Sequence, residues 1–225
     1  MENLLLSATG GAGPMNRQIG LWSAALTALA TVGFALSMAL TWNQTFAGWS
    51  YGICLALAWS YLVLACALAA MARDAAQAAA LSGVTFAVLH AAFVTTVYFI
   101  QLTTVLHASA APELLAQLSY STLGGLAFNL ELLGYGLMAI STVFLGLSLT
   151  VNARRDRCLR GLLIGHGVFA PFCIVAPITG LFSSPPAASG NLFAIMALTF
   201  WCAYFAPAMA LAFLHFRTLP IGVKA

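Results

Sequence analysis

Six long apolar runs limit the fold of this chain more than any other feature. They cover approximately Ile19 to Thr41, Ser50 to Met71, Ala80 to Leu106, Leu123 to Val151, Leu159 to Phe182 and Leu192 to Phe216. Each reaches the roughly 20 residues that a helix needs to cross a bilayer. Barrel strands would alternate apolar and polar residues over about 10 positions, whereas these runs are uniformly apolar and much longer. The expected fold is all-α: a polytopic six-transmembrane-helix bundle forming one membrane domain over residues 18–217. Short tails flank it at residues 1–17 and 218–225.

Composition excludes a water-facing surface. Only 6% of the 225 residues are charged and 62% are hydrophobic, against roughly 25% charged in a soluble domain. The main partner is therefore the lipid bilayer. A nucleic-acid partner would need a basic face with readout residues, and no such face is present. Cys54, Cys66, Cys158, Cys173 and Cys202 are scattered without a Cys-x-x-Cys pair, so they read as small buried hydrophobes.

The basic residues orient the bundle. Arg17, Arg73, Arg154, Arg155, Arg157, Arg160, Arg217 and Lys224 all lie on one side, and the connections after the first, third and fifth spans contain no Lys or Arg. The positive-inside rule places that side in the cytoplasm, giving an N-in/C-in protein of the plasma (inner) membrane. Trp22, Trp42 and Trp49 sit near span ends and suit interfacial anchoring. The first span exceeds a secretory h-region of about 7–15 residues, and Met15-Asn16-Arg17 reads as a natural beginning. Met1 to Pro14 is expected to be a tail or the product of an upstream start. The outer connection from His107 to Thr122 contains Pro112-Glu113, a pair suited to a helix start, and permits either a short helix or a plain loop. Pro171, Pro177 and Pro207 all fall in the second half, an asymmetry that argues against a simple inverted repeat.

Glu131 is the one acid inside an apolar run. It lies roughly 12 Å from the outer end at about 1.5 Å per residue. A charge at that depth is costly, so the side chain should face the interior or a cavity, either as a proton-binding or ligand-binding carboxyl or as an interhelical hydrogen-bonding group. At about 100° per residue, Gly124, Tyr135, Met138 and Thr142 share its face, and Asn129 points the other way. In the third span His90, Val97 and Gln101 form a stripe, with Tyr98 at its edge. Tyr98 and Gln101 fall near the depth of Glu131, which permits a Tyr98–Glu131 or Gln101–Glu131 hydrogen bond. His166 in the fifth span lies at a depth similar to that of His90, and Gly161-x-x-x-Gly165 beside it permits close helix contact. Two such histidines suggest axial ligation of haem. No zinc, haem-attachment, phosphate-loop or nucleophile-elbow motif is present, so no catalytic residue is assigned. A retinal Schiff base is excluded because the only lysine, Lys224, is in the tail.

Arg17-Gln18-Ile19-Gly20-Leu21-Trp22-Ser23-Ala24, Val97-Tyr98-Phe99-Ile100-Gln101-Leu102 and Glu131-Leu132-Leu133-Gly134-Tyr135 resemble segments of six-helix bacterial membrane proteins that carry no assigned activity. The resemblance implies a bacterial inner membrane and no particular substrate. Three functions therefore stand at this point. The first is a small-solute or proton-linked transport or permeation protein using Glu131, with Tyr98, Gln101, His90, Tyr135 and His166 as further candidates for binding a small molecule. The second is a structural or sensory membrane partner without catalysis. The third is a haem-binding redox subunit built on His90 and His166.

Overall fold

The computed structural model describes residues 13–40, 48–182 and 188–219. The expectations for residues 1–12, Trp42 and the tail from residue 220 lie outside the described residues. Among the described residues the regular structure is all helical: α1 (Pro14–Leu40), α2 (Gly48–Ala69), α3 (Gln77–Ile100), α4 (Pro112–Leu118), α5 (Leu126–Ser148), α6 (Arg154–Gly165), α7 (Phe169–Ile178) and α8 (Ala188–Thr218). Among the described residues six segments are long and apolar enough to cross a membrane, with α6 and α7 together forming the fifth.

Local chemistry explains where the helices differ from the apolar runs. The outer connection does contain a short helix, α4, with Pro112 in its first turn and Glu113 beside it. The fourth span begins at Leu126 rather than Leu123. Gly124 adopts a positive φ of 74° in the preceding turn, a conformation that suits a residue without Cβ. Its carbonyl accepts a hydrogen bond from Asn129 Nδ2 at 3.0 Å, so Asn129 is occupied at the helix start. The fifth span begins at Arg154, ahead of the apolar run from Leu159. There Asp156 Oδ2 accepts the backbone N–H groups of Asn152 at 3.1 Å and Ala153 at 3.0 Å. An acid in the first turn that reaches back to free amides in this way stabilises a helix start.

The fifth span is broken in its middle. His166–Val168 form a 3-10 turn between α6 and α7. Pro171 has no N–H to donate and its ring crowds the carbonyl of Gly167, which prevents a continuous α-helix there. At the other end of α7, Leu181 N–H bonds to Ala176 and Gly180 N–H to Pro177, both at 3.1 Å. With φ of 72° at Gly180, this is a Schellman termination.

The helices pack in a ring. α1 packs on α2 and α8, α2 on α3, α3 most extensively on α5, and α5 on both α6 and α7. α6 then closes on α8, whereas α7 packs on α5 and makes no comparable contact with α8 among the described residues. Among the described residues α7 meets α8 through Phe169, whose ring centroid lies 6.0 Å from that of Phe200 and 5.8 Å from that of Tyr204. Small residues set the α5 contacts: a Cβ added at Gly134 would meet Val94 of α3 at 2.8 Å, and one at Gly136 would meet Ile174 of α7 at 2.9 Å. Of the Gly161-x-x-x-Gly165 pair, Gly165 lies under the Tyr204 hydroxyl and Gly161 faces open space.

The basic ends gather together. Arg17 Nε and Nη2 donate to the Phe216 and Arg217 carbonyls at 3.0 and 2.7 Å, and Asn16 Nδ2 donates to the Ala67 carbonyl at 3.2 Å. The start of α1 thus lies beside the ends of α2 and α8. Outward-facing apolar side chains, among them Trp22, Leu29, Leu36 and Ile178, cover the ring's exterior, as lipid contact requires. Trp49 is exposed near the start of α2, as expected for an anchor. All five cysteines are free; Cys54, Cys173 and Cys202 are buried, but Cys66 and Cys158 are exposed rather than internal.

Candidate functional site

The polar stripes of the third and fourth spans meet. On α3, His90, Val97 and Tyr98 are buried, and so is Gln101 in the π-helical turn that follows; on α5, Glu131, Tyr135, Met138 and Thr142 are buried. The Tyr98 hydroxyl donates to Glu131 Oε1, one of the two bonds that depth had suggested. Gln101 is used elsewhere. Its Nε2 donates to the Leu118 carbonyl at 2.7 Å and its Oε1 accepts the Tyr120 N–H at 3.0 Å. It therefore fixes the outer connection against the bundle instead of bonding to Glu131. The π-turn at Gln101–Val105 carries this side chain. Gly124 is not on the α5 face, because it precedes the helix.

Both membrane histidines rest against α5. His90 Nδ1 lies 2.8 Å from the Gly134 carbonyl, so Nδ1 carries the proton and Nε2 presents its lone pair. That Nε2 is buried and has no hydrogen-bond partner among the described residues. His166 is fully engaged: Nδ1 lies 2.9 Å from Thr142 Oγ1, and Nε2 accepts the Trp201 indole N–H at 2.9 Å. The Thr142 hydroxyl gives its own hydrogen to the Ala139 carbonyl, which makes His166 Nδ1 the donor to it. Axial ligation of haem iron needs a free imidazole lone pair on each side. His166 has none to offer, and neither histidine lines the cavity described below. These two residues do not fit a haem. Among the described residues, no group of three His, Cys, Asp or Glu is placed to hold a metal ion.

A cavity of about 330 Å³ lies between α7 and α8. Its walls come from α5, α7 and α8, with Tyr120 of the outer connection at one end. The walls are almost wholly apolar and mainly aromatic, including Phe128, Phe169, Phe172 and Trp201. Two rim residues, Val168 at 70% and Phe200 at 63% exposure, lie on the bundle's outer apolar surface. The cavity is therefore a cleft that opens sideways. Glu131 lines it and is only 3% exposed. Tyr98 is its one hydrogen-bond partner among the described residues. Tyr135 also lines the cleft, and its buried hydroxyl makes no hydrogen bond among the described residues. One acid, Glu131, and two phenols, Tyr120 and Tyr135, are thus set in the walls of an aromatic cleft.

Several polar contacts escaped the sequence reading. The Tyr61 hydroxyl donates to Ser141 Oγ at 2.8 Å, and Ser141 donates to the Gly83 carbonyl at 2.6 Å, joining α2, α5 and α3. Trp201 both bonds to His166 and packs edge-on to Tyr135, with ring centroids 5.1 Å apart. His215 Nδ1 lies 2.9 Å from Asp156 Oδ1, which ties the start of α6 to the end of α8. Asp156 and Arg155 adjoin in the sequence, with Nε and Oδ1 3.6 Å apart. The acid's place in the first turn of a helix was a signal of a cap, but the distant His215 was not recoverable from spacing.

Fold and cleft together define a multi-pass helical membrane protein with a side-opening, aromatic-walled cavity that holds a single acid. Comparison with protein-family models, curated proteins and solved structures finds no match for this chain.

Proposed function

We propose that this chain is a small-solute or proton-linked transport protein of a bacterial inner membrane, with both termini in the cytoplasm and Glu131 as its titrating group. The observation that carries this reading is the position of Glu131: a buried acid lining a cleft, with Tyr98 as its one hydrogen-bond partner among the described residues. An acid that served only to join helices would sit between them with its oxygens bonded. An ionisable residue inside a spanning segment and facing a cavity is the usual mark of an ion or substrate pathway. The orientation follows from the eight basic residues on one side and none on the other, and the bacterial setting from the resemblance to six-helix bacterial proteins.

The structural or sensory reading is favoured by one observation, the Tyr98–Glu131 bond between α3 and α5. Proteoliposomes separate the two readings. A pH-sensitive dye inside them should report a solute-dependent proton flux that Glu131→Gln removes while the variant stays folded. Unchanged flux in the variant rejects the role given to Glu131. Loss of folding stability without a change in flux per folded protein supports the structural reading.

A further inference from the structure

The cleft's wall chemistry narrows the class of ligand, and the narrowing rests on the transport reading above. A sugar or amino acid would need several polar partners in a site this buried. The cleft's walls supply one carboxyl, Glu131, and two phenols, Tyr120 and Tyr135, in a mostly apolar and aromatic surface. An anion would meet an acid with no compensating cation. The titratable groups around Glu131 are Tyr51 and Cys54 on α2, Tyr98 on α3, Tyr120 on the outer connection, Tyr135 on its own helix and Cys173 on α7. None of them is basic. An organic cation satisfies both features. Its charge pairs with the carboxylate, and aromatic residues line the cleft around it, Trp201 and Tyr135 among them, as suits a cation that rings attract within about 6 Å. A volume of about 330 Å³ is at the lower end of the range for small-molecule sites. The mouth is rimmed by exposed apolar side chains, Val168 and Phe200, as suits a surface that lipid covers.

We infer that the cleft binds a hydrophobic organic monocation, such as a lipophilic amine or quaternary ammonium ion, which enters sideways from the lipid and exchanges with a proton on Glu131. An uncompensated carboxylate in apolar surroundings is costly. Either a proton on the carboxyl oxygen or a cation beside it neutralises the charge, and one acid cannot hold both. Cation entry therefore releases the carboxyl proton, and rebinding of a proton expels the cation. Charge balances at each step, because one monovalent cation replaces one proton.

The test uses the full chain in lipid nanodiscs with tetraphenylphosphonium as the probe. The expected result is saturable binding above that of empty nanodiscs, release of about one proton per bound cation in unbuffered solution, and weaker binding as the pH falls, by up to about tenfold per pH unit. Glu131→Gln should weaken binding at least tenfold and abolish proton release. Trp201→Leu should weaken binding and keep the proton released per bound cation, which separates the aromatic wall from the exchanging acid. Circular dichroism and size-exclusion chromatography confirm that each variant is folded. Absence of specific binding, or binding that neither the pH nor Glu131→Gln alters, overturns the inference. A Glu131-dependent proton flux with another solute, in a protein that ignores the cation, would leave the transport reading standing and remove the cation. Binding with proton release in a protein that carries no flux would do the reverse.

Discussion

Glu131 and Ser141 are both polar and buried on α5, and they differ in how their hydrogen-bonding capacity is used. Ser141 accepts from Tyr61 and donates to the Gly83 carbonyl, so its hydroxyl is engaged on both sides. Glu131 has the Tyr98 hydroxyl and the cleft. Ser141→Ala would leave the Tyr61 hydroxyl and a backbone carbonyl buried without a partner. Each such group costs about 1–3 kcal/mol, although interhelical hydrogen bonds in membranes average nearer 0.6 kcal/mol. Unfolding of Ser141→Ala in mixed micelles is therefore expected to show a loss of about 1 kcal/mol or more, with flux per folded protein unchanged. A stability equal to wild type would contradict the assignment of this triad as interhelical glue. The same reasoning divides the candidates from the sequence. Gln101 and His166 make satisfied hydrogen bonds and hold the bundle together, whereas Glu131 and Tyr135 face the cleft.

At the scale of the element, α5 is the hub, and its glycines decide how closely its neighbours approach. A methyl group at Gly134 would lie 2.8 Å from Val94 Cγ2. Val94 is β-branched and stiff at χ1, so it gives way only at a cost. Gly134→Ala should destabilise the protein by about 1–3 kcal/mol through overpacking, read as a lower unfolding temperature. Gly161→Ala is the control, because nothing lies within 4 Å of its added methyl; it should be neutral or slightly stabilising. Equal effects at the two positions would contradict the close α3–α5 packing. Of Gly161 and Gly165, whose spacing permits close helix contact, Gly165 is packed under the Tyr204 hydroxyl and Gly161 is not, while the close contacts at Gly134 and Gly136 carry no such spacing. In a soluble helix the apolar stripe reveals the buried face. A membrane helix is apolar toward both lipid and core, so the stripe disappears and only rare polar residues mark the inside. Tyr98 and Glu131 were legible for that reason: each stood out, and depth brought them level. The number of spans was legible because length and hydropathy suffice for it. Span ends set by Asp156 or Gly124, the Asp156–His215 contact and the wall built by Trp201 depend on local caps or on distant partners, which hydropathy does not encode.

At the scale of the whole molecule, the described residues leave a cleft in the ring of helices, between α7 and α8. α6 reaches α8 and is held there by the Asp156–His215 contact and by the Tyr204 hydroxyl, which donates to the Leu162 carbonyl at 2.9 Å. After the turn before Pro171, α7 packs on α5 and shares the walls of the cleft with α8. Glu131, the one acid inside an apolar run, lines that cleft near the outer end of α5, and is expected to be reached from lipid. If this arrangement is correct, a carboxyl reagent dissolved in lipid should find Glu131. The most direct measurement treats membranes containing the protein with dicyclohexylcarbodiimide and locates the adduct by peptide mass spectrometry. The account predicts modification at Glu131, at about one adduct per chain, that is suppressed by tetraphenylphosphonium. An unmodified Glu131 peptide, with the label instead on Asp74 or Glu113, would contradict it.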